Sequence, residues 1–213
     1  MTDTTLKTLY EHWNSLREGR LPPFRSEISP RALPEQLDTL FILEMLNPKD
    51  VRIRIAGIKI CEMIGMEVRG QSPMSFFEEN ARGRFASVIT DVLNGAAIAR
   101  LSLKTEDKLG NIGNVEMILL PLRSDFGDVS RIIGCVTVPK DGFTAPIRYH
   151  IDSVKLEPLS RNRNDGVVQH AGFAEERAGF IMDDAPAFRT ISGNADIRQK
   201  RPVQKQNFLK VVS

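Results

Sequence analysis

The stretch RIRIAGIKICEMIG, residues 52–65, constrains the fold of this chain more than any other segment. Arg52, Ile53, Arg54 and Ile55 alternate polar with apolar, the period of a strand with one face on a core. Gly57 follows, and then Ile60, Met63 and Ile64 mark one face of a short helix over 58–64. Ile53 and Ile55 are expected to point inward and the two arginines outward. Gly57 is expected to let the chain turn from strand into helix, and Gly65 and Gly70 to bracket the loop that follows.

The flanking sequence extends this pattern into an α+β fold. Asp3 or Thr4 can cap a helix running to about residue 18, with Leu6, Leu9, Trp13 and Leu16 as one apolar stripe. A proline-rich lead-in follows, with a helical turn expected near 30–36 from Ser29-Pro30. TLFILEML and VRIRIA, joined by the turn residues NPKD, read as a β-hairpin over 39–56. Ser72-Pro73 opens a longer helix expected over 74–94, with Phe76, Phe77, Phe85, Val88, Ile89, Val92 and Leu93 as its apolar positions. Strands are expected over 97–106, 114–123 and 131–139, joined by LGNIG and SDFGD. Five antiparallel strands with helices inserted after the second place the helices over one face.

Beyond residue 139 the texture changes to clusters of Arg, Asn, Asp, Gly, Ser and Gln with no sustained period. Residues 140–213 are therefore expected to be largely disordered. The apolar residues Phe173, Phe180, Ile181 and Phe188 suggest a short interaction segment over 171–188 that folds on a partner. The organisation expected is a helix and proline-rich lead-in over 1–38, a core over 39–139 and a mostly disordered tail.

Bulk properties narrow the function. A net charge of +2 over 213 residues gives no general attraction to nucleic acid or anionic membranes. No apolar run approaches the roughly 20 residues of a membrane span. The N-terminus lacks a basic region followed by an apolar run, so a cytoplasmic protein is expected. Cys61 and Cys135 are far apart, and His12, His150 and His170 fall in separate regions, so no metal site is expected. Arg198, Lys200, Arg201 and Lys205 carry no interleaved aromatics and read as a solvated tail rather than a nucleic-acid contact.

Candidate chemistries fail on context. Asp125-Phe126-Gly127 spells a kinase metal-binding triplet, but the other parts of phosphoryl transfer are missing and a hairpin turn explains it. GNIG, residues 110–113, joins two strands rather than the two helices of an RNA-clamping loop. The hydrolase, metalloprotease and nucleotide-loop motifs do not occur. Glu78 and Glu79 are adjacent on a helix and point different ways. Both cysteines read as core packing. No catalytic residue is assigned and no enzyme is expected.

The order of elements and five motifs together resemble a PAS domain. They are YEHWNSLREGRLPPFRSEISP, the pair TLFILEML and VRIRIAG, ICEMIGMEVRGQS, EMILLPLRS and SRIIGCVTVP. More narrowly, residues 10–138 resemble a divergent single-PAS branch widespread in alphaproteobacteria. The resemblance implies a five-stranded sheet and helices around a pocket, in a sensory or protein-interaction module.

On that resemblance, the pocket would be lined from Ile55, Ile60, Ile64, Phe77, Phe85, Ile89, Leu101, Leu119 and Cys135. Leu6, Leu9, Trp13 and Leu16 would form a cap or dimer helix, although the stripe alone does not distinguish a dimer seam from packing on the chain's own sheet. Haem binding would place a histidine on the 74–94 helix, which has none. Covalent flavin chemistry would require a motif absent around Cys61, so no cofactor is expected, and a small unknown ligand stays open. The implied role is a non-enzymatic regulatory protein acting through homodimerisation and an unnamed protein partner. The alternatives are a small-molecule sensor and, behind it, a binder of nucleic acid or anionic surfaces through the tail.

Overall fold

The computed structural model describes residues 3–17, 21–94 and 97–159. Three α-helices and six strands appear in chain order: α1 (Thr4–Arg17), β1 (Leu40–Asn47), β2 (Asp50–Ala56), α2 (Ile58–Ile64), α3 (Glu79–Asn94), β3 (Ala97–Glu106), β4 (Ile112–Arg123), β5 (Val129–Val136) and β6 (Arg148–Pro158). The strands form one antiparallel sheet in the order β2-β1-β5-β4-β3-β6. The α+β class, the hairpin and the strand-to-helix switch stand where the periodicities place them.

The sheet has a strand more than the five expected. β6 pairs with β3 from Ala97 opposite Pro158 to Glu106 opposite Arg148. Residues 148–158 thus belong to the sheet, and the core extends past 139 instead of giving way there to a disordered tail. The apolar residues of this strand, with Ile147 just before it, keep period two only in pieces: Ile147, Tyr149 and Ile151, then Val154 and Leu156. A register shift opposite Ser102 and Leu103 leaves Asp152 as an extra residue, which accounts for the break. The interaction segment 171–188 and the basic cluster from Arg198 lie outside the described residues.

Each face of the sheet carries its own core. On one, α2 and α3 cover Phe41, Leu43, Ile53, Leu101, Met117, Leu119 and Val136. On the other, Leu6, Leu9 and Trp13 of α1 are fully buried against Leu40, Ile42, Ile118, Leu120, Ile133 and Cys135, with Leu16 half-buried beside them. The Trp13 indole N–H donates to the Pro121 carbonyl of β4 at 2.9 Å, a link from helix to strand. The stripe of α1 packs on its own sheet, and helices therefore cover both faces. At the strand end, Arg123 donates to the carbonyl of Pro22 and lies 3.9 Å over the Phe24 ring, which holds down the proline-rich lead-in.

The helix expected over 74–94 is broken. Pro73–Phe76 forms a 3-10 turn, Phe77 is extended, and α3 begins at Glu79. The break has a partner across the fold. Phe77 makes an isolated parallel bridge with Tyr149, and the Glu78 N–H donates to the Tyr149 carbonyl at 3.1 Å. The Arg148 guanidinium donates to the Ser75 carbonyl at 2.6 Å. These backbone groups leave the helical ladder to bind the start of β6.

Gly57 does its work by size. Its φ of −71° and ψ of 161° suit any residue, but a Cβ there would stand 2.1 Å from the Leu37 carbonyl oxygen. The backbone at Leu37 and Asp38 crosses the start of α2, where the Lys59 N–H donates to the Asp38 carbonyl. Gly65, at φ 77°, ends α2 in the left-handed conformation that glycine adopts without strain.

Candidate ligand site

Between the sheet and its helices lies a cavity of about 40 Å³. Phe41 and Leu43 of β1, Met117 of β4 and Val136 of β5 form its floor. Ile60 and Ile64 of α2, Phe85 of α3, and Pro73, Phe76 and Phe77 of the turn segment form its walls. Tyr149 of β6 completes it. A lining this apolar follows from alternation: Phe41 and Leu43 are two apart on one strand and face the same side.

The Phe41 ring needs room. Gly134 stands opposite Phe41 in β5, and a Cβ there would come within 2.4 Å of the ring. On the wall side, Phe77 stacks on Phe85 with ring centres 4.0 Å apart, and Tyr149 lies 5.4 Å from Phe77. Such ring pairs add about 0.5–1.5 kcal/mol beyond the area they bury.

Tyr149 is the chemically informative member. It is 4% exposed, and its hydroxyl has no hydrogen-bond partner among the described residues. Burial pushes its ionisation above the ordinary tyrosine range, so the phenol stays protonated and keeps a proton to donate. Tyr149 is also the one ionisable side chain lining the cavity.

Four of the nine residues expected in a pocket, Ile60, Ile64, Phe77 and Phe85, do line this cavity. Ile89, Leu101 and Leu119 belong to the same core but lie off the cavity wall. Ile55 lies elsewhere: it is 43% exposed and borders a surface groove with Ile42, Glu44 and Arg131. The register explains why. Ile53 pairs with Leu43 and Ile55 with Ile42, so Arg54 is an extra residue that turns Ile55 to the opposite side of the sheet from Ile53. Arg54, like Arg131, binds the Glu44 carboxylate at that groove.

Cys135 faces the α1 core, with its thiol 3.1 Å from the Thr39 hydroxyl, and burial pushes that thiol up to about 11. Cys61 is half-buried on α2 between cavity residues but does not itself line the cavity. Sequence reasoning missed Tyr149, together with Phe41, Leu43, Pro73, Phe76, Met117 and Val136. Phe41 and Leu43 carried a readable signal, because they alternate in the strand next to Val51 and Ile53.

One water occupies about 10–15 Å³, so the cavity as it stands holds the volume of a few non-hydrogen atoms. The surface that lines the cavity is wholly apolar, Tyr149 contributing its ring, and no charged side chain lines it. Among the described residues, no group of three or more His, Cys, Asp and Glu could hold a metal ion. No described helix is long and apolar enough to cross a membrane.

The family model for the PAS domain matches residues 1–137. Among solved structures, the light state of the blue-light photoreceptor Aureochrome1 LOV is 17% identical with a TM-score of 0.37, over 52% of this chain and 89% of that one. The PAS domain of a protein from Colwellia psychrerythraea is 14% identical with a TM-score of 0.38, over 51% of this chain and 95% of that one. The Rhodobacter sphaeroides LOV protein is 12% identical with a TM-score of 0.39, over 60% of this chain and 66% of that one. No curated protein matches the sequence. The match to the family model takes in 137 of 213 residues, from α1 through β5, and the chain belongs to the PAS domain family.

Proposed function

We propose that this protein is a non-enzymatic regulatory module that senses a small molecule in the cavity between its sheet and helices. The observation that supports this reading is an apolar cavity lined jointly by the sheet, α2, α3 and the Tyr149 ring of β6. A signal would leave through β6, because Tyr149 sits on that strand and its backbone is tied to the turn before α3. The expected site of action is the cytoplasm. Native mass spectrometry of protein purified under gentle conditions tests the reading. A stoichiometric extra mass released on denaturation supports it. Bare protein, with no thermal stabilisation by any member of a small-molecule library, defeats it.

A second reading, regulation through self-association or a protein partner, has its own observation. Leu37, Ile55 and Ile58 are 42%, 43% and 58% exposed around the β2–α2 junction, where Gly57 packs on Leu37. Since the α1 stripe is buried on its own sheet, a homodimer would use a surface such as this one. Light scattering on the wild type and on Ile58→Glu decides it: a dimer that the variant dissociates supports the reading, and a monomer at high concentration removes the homodimer.

A further inference from the structure

We propose that the cavity between sheet and helices takes a small, wholly apolar molecule, a dissolved gas or a short hydrocarbon, and rejects molecules of the same size that carry a hydroxyl. The inference rests on the cavity being a ligand site and goes further, to the class of ligand that the site selects.

The lining makes the selection. All eleven residues that border the cavity are buried, so their side chains have already left bulk water. The surface they present to the cavity is apolar throughout. Phe41, Phe76, Phe77, Phe85 and Tyr149 contribute rings and Met117 a thioether, so the wall is polarisable and attracts an apolar body by dispersion. A hydroxyl placed inside would give up its hydrogen bonds to water and gain none in return. An ion would fare worse still.

The same wall keeps water out. Buried waters make about three hydrogen bonds, and an apolar surface does not supply them. Cavities lined in this way stay dry and bind xenon or hydrocarbons instead. A ligand therefore enters without displacing a held water, and its contacts with the wall decide its affinity. The volume sets its size. Protein interiors hold few voids larger than a water molecule, and about 40 Å³ is the room of roughly three. A molecule of about two heavy atoms fits without moving the wall.

The test titrates the full chain with ethane and separately with methanol, which match closely in size, and reads methyl chemical shifts. The expected result is a saturable ethane shift at Ile64, Met117 and Val136, with methanol about tenfold or more weaker at the same methyls. Val136→Ile, which adds one methyl group at the wall, is expected to weaken ethane about tenfold. Ile64→Val, which removes one, is expected to keep ethane bound and to admit propane. Dioxygen, read by its paramagnetic relaxation of the same methyls, separates the two sources. Relaxation confined to the cavity assigns a dissolved gas, and ethane binding without it assigns a hydrocarbon. Methanol binding as tightly as ethane would overturn the apolar class while leaving the cavity a ligand site. Ethane shifts that both variants leave unchanged would place ethane elsewhere and overturn it too. Absence of cavity shifts with every probe would remove the ligand-site reading itself.

Discussion

Phe77 and Tyr149 join two parts of the chain that are far apart in sequence: their backbones form an isolated parallel bridge and their rings lie 5.4 Å apart. Phe77 also stacks on Phe85 of α3, so the turn segment, the long helix and the last strand share one aromatic cluster. This cluster forms one side of the cavity. Its integrity therefore depends on a strand that lies outside the segment matching the family model.

Truncation measures that dependence. Ile147 and Tyr149 are 1% and 4% exposed, and burying each contributes about 1.5–3 kcal/mol. A chain ending at residue 159 is expected to melt cooperatively. One ending at 139 is expected to lose about 3–6 kcal/mol from these two side chains and to melt broadly or not at all. Circular dichroism melts that superimpose for the two chains would show that β6 adds nothing to the core.

Phe77→Ala should be among the most damaging single substitutions. It removes a ring that is 2% exposed and leaves a void between Phe85 and Tyr149, at a cost of about 3–5 kcal/mol. Phe77→Leu should cost less, because most of the volume is kept. Urea titration of the two variants gives the comparison, and equal midpoints would contradict the packing described.

Two glycines are fixed by contact and should respond unequally to alanine. At Gly57 the new Cβ meets the Leu37 carbonyl and the Asp38 backbone, which cannot swing aside, so a loss of about 3 kcal/mol or more is expected. At Gly134 it meets mainly the tip of the Phe41 ring at 2.4 Å, which can shift, and more distantly the Ile118 carbonyl oxygen at 2.9 Å, which cannot, so a smaller loss of about 1–3 kcal/mol is expected. Thermal melts that rank the two the other way would show that the ring is held more firmly than the backbone crossing.

Asp107 predicts an acid limb of stability. Its carboxylate accepts from the Asn111 side chain at 3.0 Å, and from the backbone N–H groups of Asn111, Leu109 and Thr144. The Asn111 side chain first, then those backbone groups, hold it down to about 2, against the opposing effect of burial. A carboxylate depressed in the folded state stabilises above its ordinary value of 3.8, and that contribution fades as pH falls toward 2. Wild type should lose more melting temperature between about pH 5 and about pH 2 than Asp107→Asn does. Parallel pH profiles would remove Asp107 as the cause.

The two cysteines should react at very different rates. Cys135 is fully buried with its thiol raised to about 11, whereas Cys61 is half-buried on α2. Near neutral pH an aromatic disulfide reagent should label Cys61 alone in the native protein and both thiols in denaturant. Labelling of Cys135 in Cys61→Ser without denaturant would show that the α1 face opens readily.

Much of this architecture is set by local pattern. The stripe of Leu6, Leu9 and Trp13 on α1, the alternation at the start of β2 and the helical face of Ile60, Met63 and Ile64 depend on periods of 3.6 and 2 that any reader of the sequence can count, and β1, β4 and β5 stand out as short apolar runs. Four cavity residues were legible for the same reason. What the pattern leaves open is anything that depends on one residue too many. A bulge at Arg54 turns Ile55 to the other face, and another at Asp152 interrupts the alternation that marks β6. Only tertiary structure decides these points, because the partner strand sets the register and each extra residue reverses the faces beyond it. It also decides that Gly57 is required for space, that the α1 stripe is buried on its own sheet, and that the Tyr149 ring joins the lining of an apolar cavity, since each depends on a segment distant in sequence.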